Sequence, residues 1–268
     1  MKFDMNAAWR DASNLLQANK ELLLVLAGLF FFLPNLAFAL FVPDFQQSMN
    51  GMQPEEMMAV LQDIYSRNWH WILFATVLQW IGILAMLALL RSAQKPTVAD
   101  ALTAGAIALV PYVLAQLIVM VGIGLAIGIP LGLASATGIG ALVFLLAMLA
   151  IPAMIYAIVK FSMVAPILAI DRQLNPLAAL KQSWSLTKGN SLRIFLFFLL
   201  VLIAVFVVSL IFSLLGMLLG SITGSPAVEG ALTSFVGAAY TTVFTAVLAA
   251  TYRQLSGRGE AKVSETFE

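Results

Sequence analysis

The chain of 268 residues contains no cysteine, only one histidine and few charged residues. The absence of cysteine excludes disulfides, thiolate metal sites and cysteine nucleophiles. Charged residues make up 10% of the sequence and hydrophobic residues 62%, whereas a soluble domain has about 25% charged residues. This composition excludes an ordinary soluble domain and is typical of an integral membrane protein.

Signatures of enzyme chemistry are also missing. The sequence has no cluster of histidine with acidic residues, no glycine-rich loop before a lysine, and no pair of carboxylates within an apolar run. Serines such as Ser209 and Ser213 lie in an apolar run, where a hydroxyl more often bonds to a carbonyl of its own helix than acts as a nucleophile. We therefore expect a protein that is not an enzyme, with no catalytic residue, metal site, cofactor or nucleic-acid partner.

Long apolar runs dominate what is present. A helix needs about 20 apolar residues to cross a hydrocarbon core of about 30 Å. Six windows of this kind carry almost no charge: residues 20–42, 69–90, 110–133, 141–165, 192–220 and 231–252. The sequence therefore predicts an all-α polytopic membrane protein with six transmembrane helices.

Basic residues are distributed unevenly around these windows. An even number of spans puts both termini on one side, and if that side is the cytoplasm, Arg67 is the only basic residue outside. The positive-inside rule then favours cytoplasmic termini. The thirteen basic residues on the inner side are Lys2, Arg10, Lys20, Arg91, Lys95, Lys160, Arg172, Lys181, Lys188, Arg193, Arg253, Arg258 and Lys262.

Three segments on the predicted cytoplasmic side resemble helices that lie along a membrane surface. The first is DMNAAWRDASNLLQANK. The second, KPTVADALTAGAIAL, has Thr97 and Asp100 at a spacing like that of a capping box. The third has Asn175 as N-cap and Pro176 as first helical residue, and is expected to end near Lys188. Each segment precedes two spans, so the sequence indicates a threefold repeat of an interfacial helix plus a transmembrane hairpin.

These elements predict a single transmembrane domain over residues 1–255 and a disordered cytoplasmic tail over residues 256–268, which are polar and rich in glycine. On the outer side, PEEMMAVLQDIYSRN predicts a short helix with acidic residues in its first turn. The other outer loops, SATGIG and SITGSPAVEG, are too short to form a domain.

Lys160 is the most suggestive charged residue, because it lies inside IYAIVKFSMVAPILAID. A lysine at the centre of a bilayer would be a functional candidate. Lys160 is close to the inner boundary of the fourth window, however, so snorkelling or an interhelical contact is favoured over a functional role. Asp171 follows about 16 Å along a continuous helix, and direct pairing with Lys160 therefore requires Pro166 to break that helix.

The stretch SWSLTKGNSLRIF joins the third surface helix to the fifth span. Gly189 is expected to adopt the left-handed conformation that ends a helix, and Asn190 or Ser191 to cap the next one. Lys188 and Arg193 would then anchor this corner to the inner leaflet. The stretch is interpreted as a surface helix, a corner and the start of a span.

Polar and small residues also occur within the spans. Gln79 and Gln116 lie in the middle of spans, where pairing with each other or with backbone is favoured over contact with a substrate. Gly124, Gly128 and Gly132 recur every four residues and predict a face of close helix approach. Packing inside the chain is the favoured interpretation of this face, and homodimerisation is the alternative.

The block KFSMVAPILAIDRQLNPLAALKQSWSLTKGNSLRIF resembles the YciC-like bacterial membrane proteins. It is also similar to the membrane domain attached to some glycerophosphodiester phosphodiesterases. The resemblance implies a helical bundle of the bacterial inner membrane, and no hydrolase activity, because the catalytic domain of those relatives is absent from this sequence. It covers about 35 residues and rests on Lys160, Pro166, Asp171, Ser183, Leu186, Lys188, Gly189, Asn190 and Arg193.

Two functions compete on these observations. The first is a protein that binds membrane lipids or another membrane protein in envelope maintenance, with Trp184 and Lys188 on its contact surface. The second is a transporter or flippase for a lipidic or amphipathic peptide substrate, with Pro34, Pro152 and Gln116 along a central path. A membrane enzyme is third. A structure with a closed, solid bundle and no polar cavity reaching the middle of the membrane would exclude the transporter.

Overall fold

A computed structural model describes residues 2–41, 54–91, 97–223 and 225–257, and all regular secondary structure in them is helical. The predicted tail lies outside the described residues from position 258 onward. The helices are α1 (Met5–Ala18), α2 (Lys20–Ala27), a π-helical turn (Gly28–Phe32), α3 (Leu33–Phe41), α4 (Pro54–Leu89), α5 (Val98–Ala136), α6 (Gly140–Phe161), α7 (Val164–Ile170), α8 (Pro176–Leu186), α9 (Ser191–Thr223) and α10 (Pro226–Leu255).

Within the described residues, six segments are long and apolar enough to span a membrane, which confirms the predicted all-α polytopic architecture. They are Lys20–Phe41, Met57–Leu89, Val98–Ala136, Gly140–Ile170, Ser191–Thr223 and Ala227–Leu255. Each overlaps one of the six windows, with boundaries that differ by up to a few turns. The first span combines α2, the π-helical turn and α3, and the fourth combines α6 and α7.

Two expected separate helices are instead continuous with spans. The outer-side helix forms the first turns of α4, which runs without interruption from Pro54 to Leu89. The second surface segment forms the first turns of α5, a single helix of 39 residues. At the boundary within α4 no proline interrupts the backbone hydrogen bonds, so helix propagation continues across it. At the boundary within α5 the helix continues through Pro111. Of the three predicted surface helices, only α1 and α8 are separate, and the threefold repeat stays a prediction.

Local capping follows the sequence. Thr97 and Asp100 form the expected capping box at the start of α5, and Asn175 caps α8 by accepting hydrogen bonds from the backbone N–H groups of Leu177 and Ala178 at 3.0 and 3.2 Å. These interactions satisfy N–H groups that have no partner within a helix. They depend only on residues within three positions of each other, which is why the sequence predicts them.

Prolines change the backbone in the first and fourth spans. Pro34 lacks the N–H that would bond to the carbonyl of Phe30, and the preceding residues form a π-helical turn in which the N–H of Leu33 bonds to the carbonyl of Gly28. Pro166 likewise cannot bond to the carbonyl four residues earlier, at Ser162, and the helix is interrupted at that residue between α6 and α7.

The buried core lies toward the end of the bundle where the N-terminal segment meets the end of α10. The N–H of Asp4 donates there to Oε1 of Gln254 at 3.4 Å. We call this end of the bundle, which contains Asp4 and Gln254, the terminal half. The opposite end, which contains Arg67 and Ser135, is the distal half. Every residue of α7 is buried, and α7 packs against α4, α5, α8 and α10. The terminal half is therefore built around α7.

The distal half is much more open. In the third and fourth spans only 6% of the most apolar window is buried within the chain. Gly124, Gly128 and Gly132 are exposed, and a Cβ atom added at any of them would meet nothing within 4 Å among the described residues. Within the described residues, the expectation that this glycine face packs inside the chain is therefore wrong, because no other helix lies against it.

Candidate functional site

The candidate residues gather in the terminal half, where α6, α7, α8 and α10 meet. Lys160 lies at the end of α6 with 2% of its surface exposed. Its Nζ atom is 5.1 Å from the ring centroid of Trp184 and 5.4 Å from that of Tyr156. Nζ also lies 3.5 Å from the backbone carbonyl oxygen of Trp184. The ammonium is thus held by two aromatic faces and a carbonyl dipole. The contacts with Trp184 join α6 to α8, whereas Tyr156 lies one turn earlier on α6 itself.

The backbone of Lys160 is also fixed by α8, the helix that carries Trp184. Because the helix is interrupted at Ser162, the carbonyl of Lys160 needs a partner outside the ladder. Ser183, a fully buried residue of α8, donates its hydroxyl hydrogen to this oxygen at 2.7 Å. Side chain and backbone of Lys160 therefore both attach α6 to α8.

Asp171 connects three other elements at the end of α7. It accepts a hydrogen bond from the hydroxyl of Tyr252, a fully buried residue of α10, and a second one from Nε2 of Gln182 at 3.3 Å. No ion pair between Asp171 and Lys160 occurs among the described residues. The carboxylate is stabilised by neutral donors at a helix junction.

The corner between α8 and α9 has the geometry expected from its sequence. Gly189 has a φ of 81°, which glycine adopts without the steric cost that a Cβ atom would impose. The buried hydroxyl of Thr187 donates back to the carbonyls of Ser183 and Trp184 at 3.0 and 3.2 Å. Asn190 immediately precedes α9, as expected for a cap. The corner is thereby held in one conformation.

Asn190 has a tertiary role that its sequence position does not reveal. It is buried, and its Oδ1 atom accepts a hydrogen bond from the backbone N–H of Phe3 at 2.9 Å. The ring of Phe3 is itself buried, and its centroid lies 5.6 Å from that of Phe197. The start of the chain is thus fixed to the corner 187 positions later.

Lys188 is exposed at the corner and Arg193 is half-buried in the first turn of α9. A cleft lies beside Lys188, between the corner, the start of the chain and the end of α10. Nearby, Arg253 of α10 forms an ion pair with Asp11 of α1, with 3.5 Å between Nε and Oδ2. The candidate residues around position 190 therefore face the chain termini.

The two glutamines within the spans do not contact each other. Nε2 of Gln79 donates to Oδ1 of Asn35 in the first span at 3.3 Å. Nε2 of Gln116 donates to the hydroxyl of Tyr112, one turn earlier on the same helix, at 2.7 Å. Both amides therefore bond to side chains of the same chain, and not to each other or to backbone as expected, because Asn35 and Tyr112 lie within reach.

Sequence reasoning missed Phe3, Tyr156, Tyr252 and Gln254. Phe3 and Gln254 gave no periodic signal, because each lies at a chain end. Tyr252 is the last aromatic residue of the sixth span and precedes Arg253, which suits an interfacial anchor equally well. Pairing it with Asp171 requires knowledge that α7 and α10 are neighbours.

No known protein family, curated protein or solved structure matches this chain. The resemblance to the YciC-like proteins therefore stays a prediction. The described residues contain no group of three or more histidine, cysteine or acidic side chains placed to hold a metal ion. The chemistry that the arrangement offers is a fixed, basic, hydrogen-bonding surface at one end of a membrane-spanning bundle.

Proposed function

We propose that this chain is a non-enzymatic protein of the bacterial inner membrane that binds lipid or a membrane partner at its cytoplasmic face, with a role in envelope maintenance. The supporting observation is the charge of the terminal half. Ten basic and five acidic described residues belong to that end of the bundle, a formal net charge of +5. A surface of this sign attracts anionic lipids of a cytoplasmic leaflet.

The same asymmetry supports the orientation. The described distal residues include one basic side chain, Arg67, and its Nε atom already pairs with Asp63 at 2.9 Å. With the termini inside, the basic end meets the cytoplasmic leaflet, as the positive-inside rule requires. A reporter that is active only outside the cytoplasm should be inactive when fused after residue 268 and active when inserted within residues 42–53. The opposite pattern would place the terminal half outside the cytoplasm and contradict the proposed orientation.

Recognition, and not catalysis, suits the polar groups at this site. The hydroxyl of Ser183 is donated to a backbone carbonyl and not to a base, and Asp171 accepts from Tyr252 and Gln182. A nucleophile needs an adjacent base to activate it. These groups instead complete each other's hydrogen bonds and hold the surface in shape.

Photo-crosslinking tests the function directly. A photoreactive side chain at position 184 or 188 should capture either a protein or a lipid population enriched in anionic headgroups relative to the bulk membrane. Met217, an exposed residue of α9 in the distal half, is the matched control and should capture lipids in the bulk proportions. Recovery of the same products from all three positions would refute the proposal.

The alternative is a transporter or flippase for a lipidic or amphipathic peptide substrate. Its supporting observation is the hydrogen bond between Asn35 and Gln79 within the spans, close to the π-helical turn, since such turns often occur at functional sites. Pro34 is buried and Pro152 is exposed, so these two predicted path residues lie in different surroundings. In proteoliposomes, a fluorescent lipid should cross the bilayer faster with the wild-type chain than with Gln79→Leu if this alternative is right.

A further inference from the structure

A cleft of about 200 Å³ opens at the terminal end of the bundle. Three distant parts of the chain form it: the N-terminal segment, the corner between α8 and α9, and the end of α10. Its polar lining comes from Lys2, Ser185, Lys188, Asn190 and Gln254. Because these residues are far apart in sequence, the cleft exists only in the folded chain.

The walls of the cleft are fixed before any ligand arrives. Phe3 is buried against Phe197, and its N–H is bonded to the side chain of Asn190. The next N–H, from Asp4, bonds to Gln254 on the third wall. Preorganised walls lower the entropic cost of binding, so this cleft has the rigidity of a recognition site.

The charge of the cleft favours an anion. Lys2 and Lys188 contribute two ammonium groups, and none of the described lining residues is acidic. The nearest carboxylate along the chain, that of Asp4, accepts hydrogen bonds from the N–H groups of Asn6 and Ala7 at 2.8 and 3.1 Å. Its charge is therefore directed to the start of α1, where it complements the helix dipole.

The size of the cleft and the residues beside it indicate which class of anion it binds. Pockets for drug-sized ligands measure about 300–1,000 Å³, so a cleft of about 200 Å³ suits a compact group such as a phosphate ester. Leu192, Leu196 and Leu200 form an exposed apolar face on α9 at four-residue spacing. This face begins two residues from Asn190, so a ligand with acyl chains can place them along α9 while its phosphate occupies the cleft.

We propose that this cleft binds the phosphate of an anionic phospholipid headgroup, with Lys2 and Lys188 as its charged contacts and the leucine face of α9 receiving an acyl chain. The inference rests on the proposed lipid-binding function and assigns it a site and a ligand class. Lysine acts toward phosphate as a point charge, and a lysine near an anionic membrane surface contributes about fivefold in binding.

The test uses the full chain purified in mixed micelles that contain equal amounts of phosphatidylglycerol and phosphatidylethanolamine. Bound lipids are quantified by mass spectrometry. The double variant Lys2→Gln/Lys188→Gln should reduce the preference for phosphatidylglycerol by about 25-fold. Lys20→Gln/Lys181→Gln removes the same charge from exposed residues outside the cleft and should change it little. Melting temperatures confirm that each variant folds.

Each other outcome overturns a defined part of the inference. Equal loss in both double variants would mean that diffuse surface charge, and not the cleft, attracts the lipid. A preference unchanged in both variants would refute the cleft and leave the lipid-binding function standing. Displacement of the lipid by an equimolar concentration of inorganic phosphate would identify free phosphate as the ligand. If the wild-type chain shows no preference and crosslinking also recovers nothing, the proposed function itself fails.

Discussion

The terminal and distal halves of this bundle hold their helices together in different ways. In the terminal half, polar side chains bond across helices, as Ser183 does to Lys160 and Tyr252 to Asp171. In the distal half, hydroxyls such as those of Ser135, Ser221 and Thr233 bond to carbonyls of their own helix. Bonds between helices fix the position of one helix relative to another, and bonds within one helix do not. The helix arrangement of the terminal half is therefore fixed by its own side chains, whereas that of the distal half depends on the molecules around it.

The largest difference in stability between the two halves should come from substituting two glycines of the same helix, α5. A Cβ atom at Gly105 would lie 2.8 Å from the backbone nitrogen of Ala85, whereas one at Gly128 meets nothing within 4 Å. We expect Gly105→Leu to destabilise the chain by about 3 kcal/mol or more, because backbone cannot move aside. Gly128→Leu should be neutral or slightly stabilising, since leucine is the better helix former. Thermal unfolding in detergent measures both, and equal losses would contradict the assigned packing.

The hydroxyl of Tyr252 gives the next largest effect. Tyr252→Phe removes the hydroxyl that donates to Asp171 and should cost about 1.5–3 kcal/mol, the contribution of a hydrogen bond to a charged group. Tyr65→Phe changes the same chemistry at an exposed distal position and should shift the melting temperature very little. A Tyr252→Phe variant as stable as the wild type would remove the link between α7 and α10 from this account.

Substitution of two glycines in the left-handed conformation distinguishes local backbone strain from the loss of tertiary contacts. Gly189 and Gly138 have φ angles of 81° and 72°, so alanine at either site should cost about 1–2 kcal/mol. Only Gly189→Ala should also increase hydrogen exchange around Phe3, because that corner carries Asn190. If Gly138→Ala has the same effect at the N-terminus, the corner does not control that segment.

The smallest predicted effect concerns the hydroxyl of Ser183, which donates a hydrogen bond to the end of α6. Ser183→Ala leaves the carbonyl of Lys160 without this donor and should cost about 1 kcal/mol. Ser185→Ala, two residues on at an exposed position, is the matched control for helix propensity and should be close to neutral. The difference between their unfolding free energies isolates the cross-helix bond, and a difference of zero would contradict it.

Features determined by neighbouring residues could be predicted from the sequence. The six apolar segments, the capping box at Thr97, the cap at Asn175 and the left-handed Gly189 each depend on a short stretch of chain. Hydropathy and backbone sterics act at that range. The all-α fold and the conformation of the corner therefore followed from the residues.

Features determined by helix packing could not be predicted. Asp171 and Tyr252 are 81 positions apart, and Phe3 and Asn190 are 187 apart, so no periodicity relates them. The contact of Lys160 with Trp184 depends on where α8 lies after the interruption before Pro166. The glycine face of α5 has the spacing of a packing motif, but spacing alone does not indicate whether another helix of the same chain reaches it.

The central claim is that the fixed, basic terminal half is the lipid-binding surface. The most direct test is a phosphatidylglycerol with a photoreactive group in its headgroup, crosslinked to the full chain in bilayers and mapped by mass spectrometry. We predict adducts concentrated on residues 2–3, 185–190 and 254–255. Adducts spread evenly along the chain, or concentrated at the distal ends of α5 and α6, would contradict the claim.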